Sequence, residues 1–159
     1  MTDFEGLLRT LVEGRVEFLL VGVAARAHGS ARSTQDVDVV YGRSKDNLRR
    51  LEAALAPLQP YLRGAPPGLP FQFDLETIEA GLNFTLATRL GALDLFGELT
   101  GGGRYEDLRP KSQVLDLFGL ECRCLDLDQL IATKRAAGRP KDLEAIAELE
   151  ALREERGED

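Results

Sequence analysis

The sequence predicts an α/β chain of the α+β kind: a mixed β-sheet backed by helices, ending in a C-terminal helical pair. Three observations carry this. Helix-spaced and strand-like segments interleave without a regular βαβ repeat. The 159 residues amount to one domain. The composition, 43% hydrophobic and 30% charged, is that of a core-forming chain. A single domain is therefore expected over residues 1–159, with an acidic tail fraying from about 153 to 159.

Phe4, Leu7, Leu8 and Leu11 recur at helical spacing over residues 3–13, and Gly14 closes that helix. Val16 to Gly22 is an apolar run broken only by Glu17, short and rich in branched residues, which reads as a buried strand. Val23 to Gly29 follows as a short helix. Gln35 to Tyr41 alternates polar and apolar residues, the pattern of a second strand. Ser44 is placed to cap a helix running to about Ala56, with Leu48, Leu51 and Leu55 on one face. Residues 57–70, rich in proline and glycine, read as a loop whose length points to function or mobility. DLETIEA gives one or two helical turns. Asn83–Thr88 and Gly91–Gly97 read as strands, and Gly101–Gly103 as a hinge or flexible loop. VLDLFG and LECRCLDL form a hairpin turning at Gly119. Asp128–Ala137 is a helix ended by Gly138, and Pro140 opens the last helix, to about Arg156.

The net charge of −7 is uneven, since seven acids and two arginines fall between Leu143 and Asp159. Global acidity argues against a non-specific nucleic-acid coat but leaves room for a local basic site. No apolar run is long enough to span a bilayer, and the N-terminal segment mixes charges into its apolar pattern, unlike a signal peptide. A cytoplasmic protein with no membrane association is expected. Cys122 and Cys124 read as reduced core residues. One histidine, His28, cannot support a zinc cluster and reads as a capping or packing residue.

The sharpest chemical feature is Asp36-Val37-Asp38 within an apolar strand. Residues i and i+2 of a strand face the same way, roughly 6–7 Å apart. Two carboxylates so close repel unless a cation lies between them. Hard oxygen ligands on a strand suit Mg²⁺, whose shell is completed by phosphate oxygens. Upstream, Gly22 lets a phosphate approach the backbone, and the N–H groups of a helix start can bind an anion. Gly29, Ser30, Arg32 and Thr34 then lead into the acidic strand. Asp94, in GALDLFG, is the first choice for a third carboxylate. Asp116 in VLDLFG competes, and Asp74 reads better as a helix cap. Lys134, Arg135, Arg139 and Lys141 form a basic cluster beside Asp142, which suits a phosphate or, more simply, helix-end electrostatics.

GVAARAHGSARSTQDVDVVY resembles the first motif of the DNA polymerase beta-type nucleotidyltransferase superfamily. It is most similar to the small bacterial AbiEii-like and minimal nucleotidyltransferases. Ala24, His28, Gly29, Arg32, Thr34, Asp36 and Asp38 match; Asp94 matches in GALDLFGEL, and Lys134, Arg139, Lys141 and Asp142 match in LIATKRAAGRPKDLEAI. The family's glycine pair is reduced, with Val21 before Gly22. The resemblance implies the nucleotidyltransferase fold and transfer of a nucleotidyl group from an NTP to an acceptor hydroxyl, with Mg²⁺ or Mn²⁺ held by Asp36, Asp38 and Asp94. It implies nucleotide contacts from Gly22, Ser30, Arg32, Thr34, Lys134 and Asp142. The acceptor would be a tRNA end, a hydroxyl of a partner protein or a small molecule, in a toxin–antitoxin or defence setting. The alternatives are a non-catalytic relative that binds nucleotide or a partner protein and, from another fold, a phosphohydrolase.

Overall fold

The computed structural model describes residues 2–21 and 36–155; the side chains of Asp36 and Lys141 are not among those described. Helix α1, Phe4–Glu13, starts where the Asp3 carboxylate accepts a hydrogen bond from the Gly6 N–H at 2.9 Å, and it stops at Gly14. Its Leu7, Leu8 and Leu11 are fully buried, the outcome of their helical spacing. Strand β1, Phe18–Leu20, is shorter than the apolar run. Strand β2 is Asp36–Tyr41. Helix α2, Lys45–Leu55, is capped by the Ser44 hydroxyl as expected. The expected helix Val23–Gly29 lies outside the described residues.

The next stretch departs from a simple loop. A 3-10 turn, Ala56–Leu58, leads to a two-residue edge strand β3, Tyr61–Leu62. The Tyr61 hydroxyl donates to the Pro66 carbonyl and accepts from the Leu69 N–H, so the proline-rich segment folds back on this strand. Helix α3, Leu75–Ala80, is capped by Asp74. Strands β4, Phe84–Thr88, and β5, Gly91–Phe96, follow.

Gly101–Gly103 is not a hinge. Gly101 and Gly102 lie in the turn of a small hairpin between β6, Glu98–Leu99, and β7, Gly103–Arg104, which Gly103 opens and which runs into a one-turn helix α4, Tyr105–Leu108. At Gly101 φ is +79°, and a Cβ there would overlap that of Ala136. Strands β8, Ser112–Leu117, and β9, Leu120–Leu125, form the expected hairpin. Positive φ at both Phe118 and Gly119 is the turn that matches strand twist. Helices α5, Leu127–Ala137, and α6, Pro140–Glu155, complete the chain.

Seven strands form one mixed sheet in the order β3-β4-β5-β2-β1-β9-β8, in which β2/β5 and β1/β9 are parallel and the other pairs antiparallel. Val37, Val39 and Tyr41 of β2 are fully buried on one face, and α1 packs on α2 and on β9. Each such apolar side chain contributes about 1.5–3 kcal/mol. Buried Asn47 ties β1 to β2: its Oδ1 accepts from the Glu17 N–H at 2.7 Å and its Nδ2 donates to the Gly42 carbonyl at 2.7 Å. Cys122 and Cys124 are buried and reduced; burial, then the neighbouring Cys122, pushes the Cys124 thiol up to about 12.

Candidate active site

Strand alternation turns Asp38 away from the Val37–Val39 core face. In the parallel β2/β5 pair Asp38 and Asp94 are direct register partners and so share that face. Val21 donates its N–H to the Asp38 carbonyl at 2.8 Å. Beyond Asp94 the same row continues to Thr85 on β4, and the Arg63 N–H donates to the Thr85 carbonyl at 3.0 Å. Asp36 pairs with Ala92. Asp38 is half-buried, with Oδ1 enclosed. The Asp94 carboxylate, 16% exposed, accepts from Arg63 Nη2 at 2.6 Å.

The competing carboxylates have other work. Asp116 sits at the far sheet edge, where it accepts from the Gly119 N–H at 2.9 Å. Asp74 accepts from the Thr77 N–H, and that hydrogen bond holds its carboxyl below the usual range.

A pocket of about 270 Å³ opens on the Asp38 side. Val21, Asp38 and Phe96 line it from the sheet, Glu98 and Thr100 from the small hairpin, and Lys134, Arg139 and Asp142 from the C-terminal helices. Gly138 caps α5 in the left-handed region, φ +65°, and its N–H donates to the Lys134 carbonyl at 3.0 Å. Pro140 then begins α6 at once. This tight turn brings two cations onto one anion. Asp142 is only 2% exposed; its Oδ2 accepts from Arg139 Nε at 2.6 Å, and Lys134 Nζ lies 3.6 Å from Oδ1. Burial pushes the Asp142 carboxyl up, but the Arg139 hydrogen bond and the charges of Arg139 and Lys134 outweigh it and hold the group below the usual aspartate range. Arg139 in turn stays more firmly protonated, first through Asp142 and in smaller part through Asp38, which couples the helical pair to the acidic strand.

The structure thus brings Asp38 beside Asp94, and Lys134 and Asp142 to the same pocket as Asp38. Gly22, Ser30, Arg32 and Thr34, with His28, lie outside the described residues. Sequence reasoning missed Arg63, which follows a strand too short to carry a pattern. It also missed Asn83, which lines the pocket and whose Oδ1 accepts from the Gly97 N–H at 2.9 Å. By donor type, the neighbouring carboxylates of Asp38 and Asp94 fit a hard divalent cation. Among the described side chains, which exclude Asp36, no three acidic, histidine or cysteine groups cluster for a metal.

No protein-family model matches the chain, and no curated protein matches it. Solved structures do: the fold is that of nucleotidyltransferases. One similar structure is a Thermotoga maritima protein provisionally described as a nucleotidyltransferase, at TM-score 0.52 and 15% identity over 99% of this chain and 96% of that one. Another is ANT(2″)-Ia in complex with adenylyl-2″-tobramycin, at TM-score 0.55 and 17% identity over 94% of this chain and 91% of that one. No helix among the described residues is long and apolar enough to cross a membrane.

Proposed function

We propose that the protein is a Mg²⁺- or Mn²⁺-dependent nucleotidyltransferase that moves a nucleotidyl group from an NTP to an acceptor hydroxyl. One observation carries the reading: Asp38 and Asp94 are register partners on parallel strands, and Asp38 lines a pocket with Lys134, Arg139 and Asp142. The acidic strand and the basic C-terminal helices, far apart in the sequence, therefore line one pocket, which supports reading it as the nucleotide site.

Asp36, Asp38 and Asp94 would hold the cation, which when bound polarises phosphoryl oxygens and offsets their charge. The acceptor oxygen forms its bond to the α-phosphorus as the bond to the β-phosphate oxygen breaks, and pyrophosphate leaves. Asp94 is the group to take the acceptor proton. Lys134 and Arg139 face the pocket as charge partners for the departing pyrophosphate. Gly22, Ser30, Arg32 and Thr34 complete the reading as the phosphate cradle. Asp142 sets the two cations rather than meeting the nucleotide.

For the acceptor, ANT(2″)-Ia holds a nucleotidylated small molecule, and a small-molecule hydroxyl is one choice for this chain. A tRNA end and a hydroxyl of a partner protein are the others, as befits an AbiEii-like protein in a toxin–antitoxin or defence role. The test is incubation with each labelled NTP, Mg²⁺ or Mn²⁺, and a lysate fractionated into RNA, protein and small molecules. Label should enter one fraction, vanish with chelator, and fall by about a hundredfold or more with Asp38→Asn. The competing reading, a non-catalytic nucleotide- or partner-binding relative, draws on Val21, which lines the pocket at a position where the family carries glycine. Nucleotide binding without label in any fraction would establish it.

A further inference from the structure

We propose that Arg63 is a resident cation of the acidic strand pair, holding Asp94 in the nucleotide-free protein and competing with the divalent cation for that carboxylate. The inference rests on the reading of Asp38 and Asp94 as metal ligands. It starts from the row of residues that crosses the sheet face. Arg63, Thr85, Asp94 and Asp38 occupy successive positions from the edge inward, each joined to the next by a backbone hydrogen bond or register pairing. Asp94 and Asp38 are like charges at directly opposed positions, an arrangement that is destabilising without a cation nearby.

Arg63 supplies one. Its backbone is fixed to β4, and its side chain reaches past Thr85 to put Nη2 2.6 Å from Asp94 Oδ1, while Nη1 donates to the Leu86 carbonyl at 3.4 Å. The pair is largely shielded, with Asp94 16% and Arg63 31% exposed. The guanidinium holds the carboxylate through a short charge-assisted hydrogen bond. A cation approaching Asp94 must displace a charge-assisted hydrogen bond or share the carboxylate with it. Metal entry then carries a cost, one that a nucleotide arriving with its own metal and phosphates is better able to offset. Arg63 is thus a positioning residue, acting through Asp94.

The test is Mn²⁺ titration of the nucleotide-free protein, read by the electron paramagnetic resonance of free Mn²⁺. Arg63→Gln should bind Mn²⁺ about ten- to a hundredfold more tightly than the parent, the worth of one charge-assisted hydrogen bond. The double variant Arg63→Gln/Asp94→Asn should lose the gain. Arg63→Lys, which keeps the charge without the fork, should gain only a few-fold and serves if the glutamine variant does not fold. Unchanged or weaker binding by Arg63→Gln overturns the proposal while leaving the proposed function standing. Absence of saturable Mn²⁺ binding in every variant overturns the carboxylate reading and the proposal together, and label transfer in the lysate assay distinguishes that case.

Discussion

Asp142 shows what a single buried charge does here. It is enclosed, yet two cations on the same turn keep it ionised, so its cost of burial is met locally. Asp142→Asn removes the anion and leaves Lys134 and Arg139 facing each other. Because those cations are 28% and 61% exposed, water screens much of the effect. A loss of about 1–2 kcal/mol is expected at neutral pH. The sign with pH follows from the depressed folded-state value. The stabilisation by Asp142 is fully present above the unfolded aspartate range, about pH 4, and disappears as pH falls through the lower folded value. Urea unfolding of the two proteins at several pH values checks this: their midpoints should differ at pH 7 and converge in strong acid. A constant difference down to the lowest pH would count against an ionised Asp142.

At the scale of elements, the small β6–β7 hairpin forms a wall of the pocket and leans on α5. Gln129 Nε2 donates to the Gly101 carbonyl at 3.4 Å, and Gly101 faces Ala136 with no room for a side chain. Gly101→Val should cost about 2–4 kcal/mol, from overpacking plus a strained positive φ. Gly64→Ala, at φ +83° with open space around it, should cost only about 1 kcal/mol. Thermal melts of the two variants compare them directly, and equal losses would mean that the hairpin does not bear on α5. These contacts also explain what the sequence could show. Longer elements were legible because their signals are local: caps at Ser44 and Asp74, helical leucine spacing in α1 and α2, and the hairpin turn at Gly119. β3, β6 and β7 have two residues each, too few for any periodicity, and take their strand form from a neighbour. Arg63 was invisible for the same reason, since its position depends on β3. The placement of Asp94 beside Asp38 is non-local: the strand pattern made Asp94 the first choice for a third carboxylate, the family resemblance pointed to the same residue, and the pairing itself appears only in the sheet.

At the scale of the whole molecule, the pocket joins a sheet face to a helical pair that follows it by almost a hundred residues, so a nucleotide that fills it bridges both parts of the fold. Ligand that binds only the folded chain should therefore raise its melting temperature, with about 2.7 kcal/mol of added stability at a hundred times the dissociation constant. Lys134 is the residue on which to test the helical side. Its side chain is 28% exposed, and its pairing with Asp142 at 3.6 Å is looser than that of Arg139 at 2.6 Å. Removing it should cost the unliganded protein less than about 1 kcal/mol, since Arg139 remains on the buried carboxylate. In the liganded protein the loss is larger, because a charged hydrogen bond to a triphosphate oxygen is worth roughly 1.5–3 kcal/mol. Lys134→Ala should thus melt within a few degrees of the parent alone, yet need about ten- to a hundredfold more NTP and metal for the same upward shift. Equal shifts at equal nucleotide concentration would assign Lys134 to the Asp142 ion pair alone and leave the phosphates to Arg139.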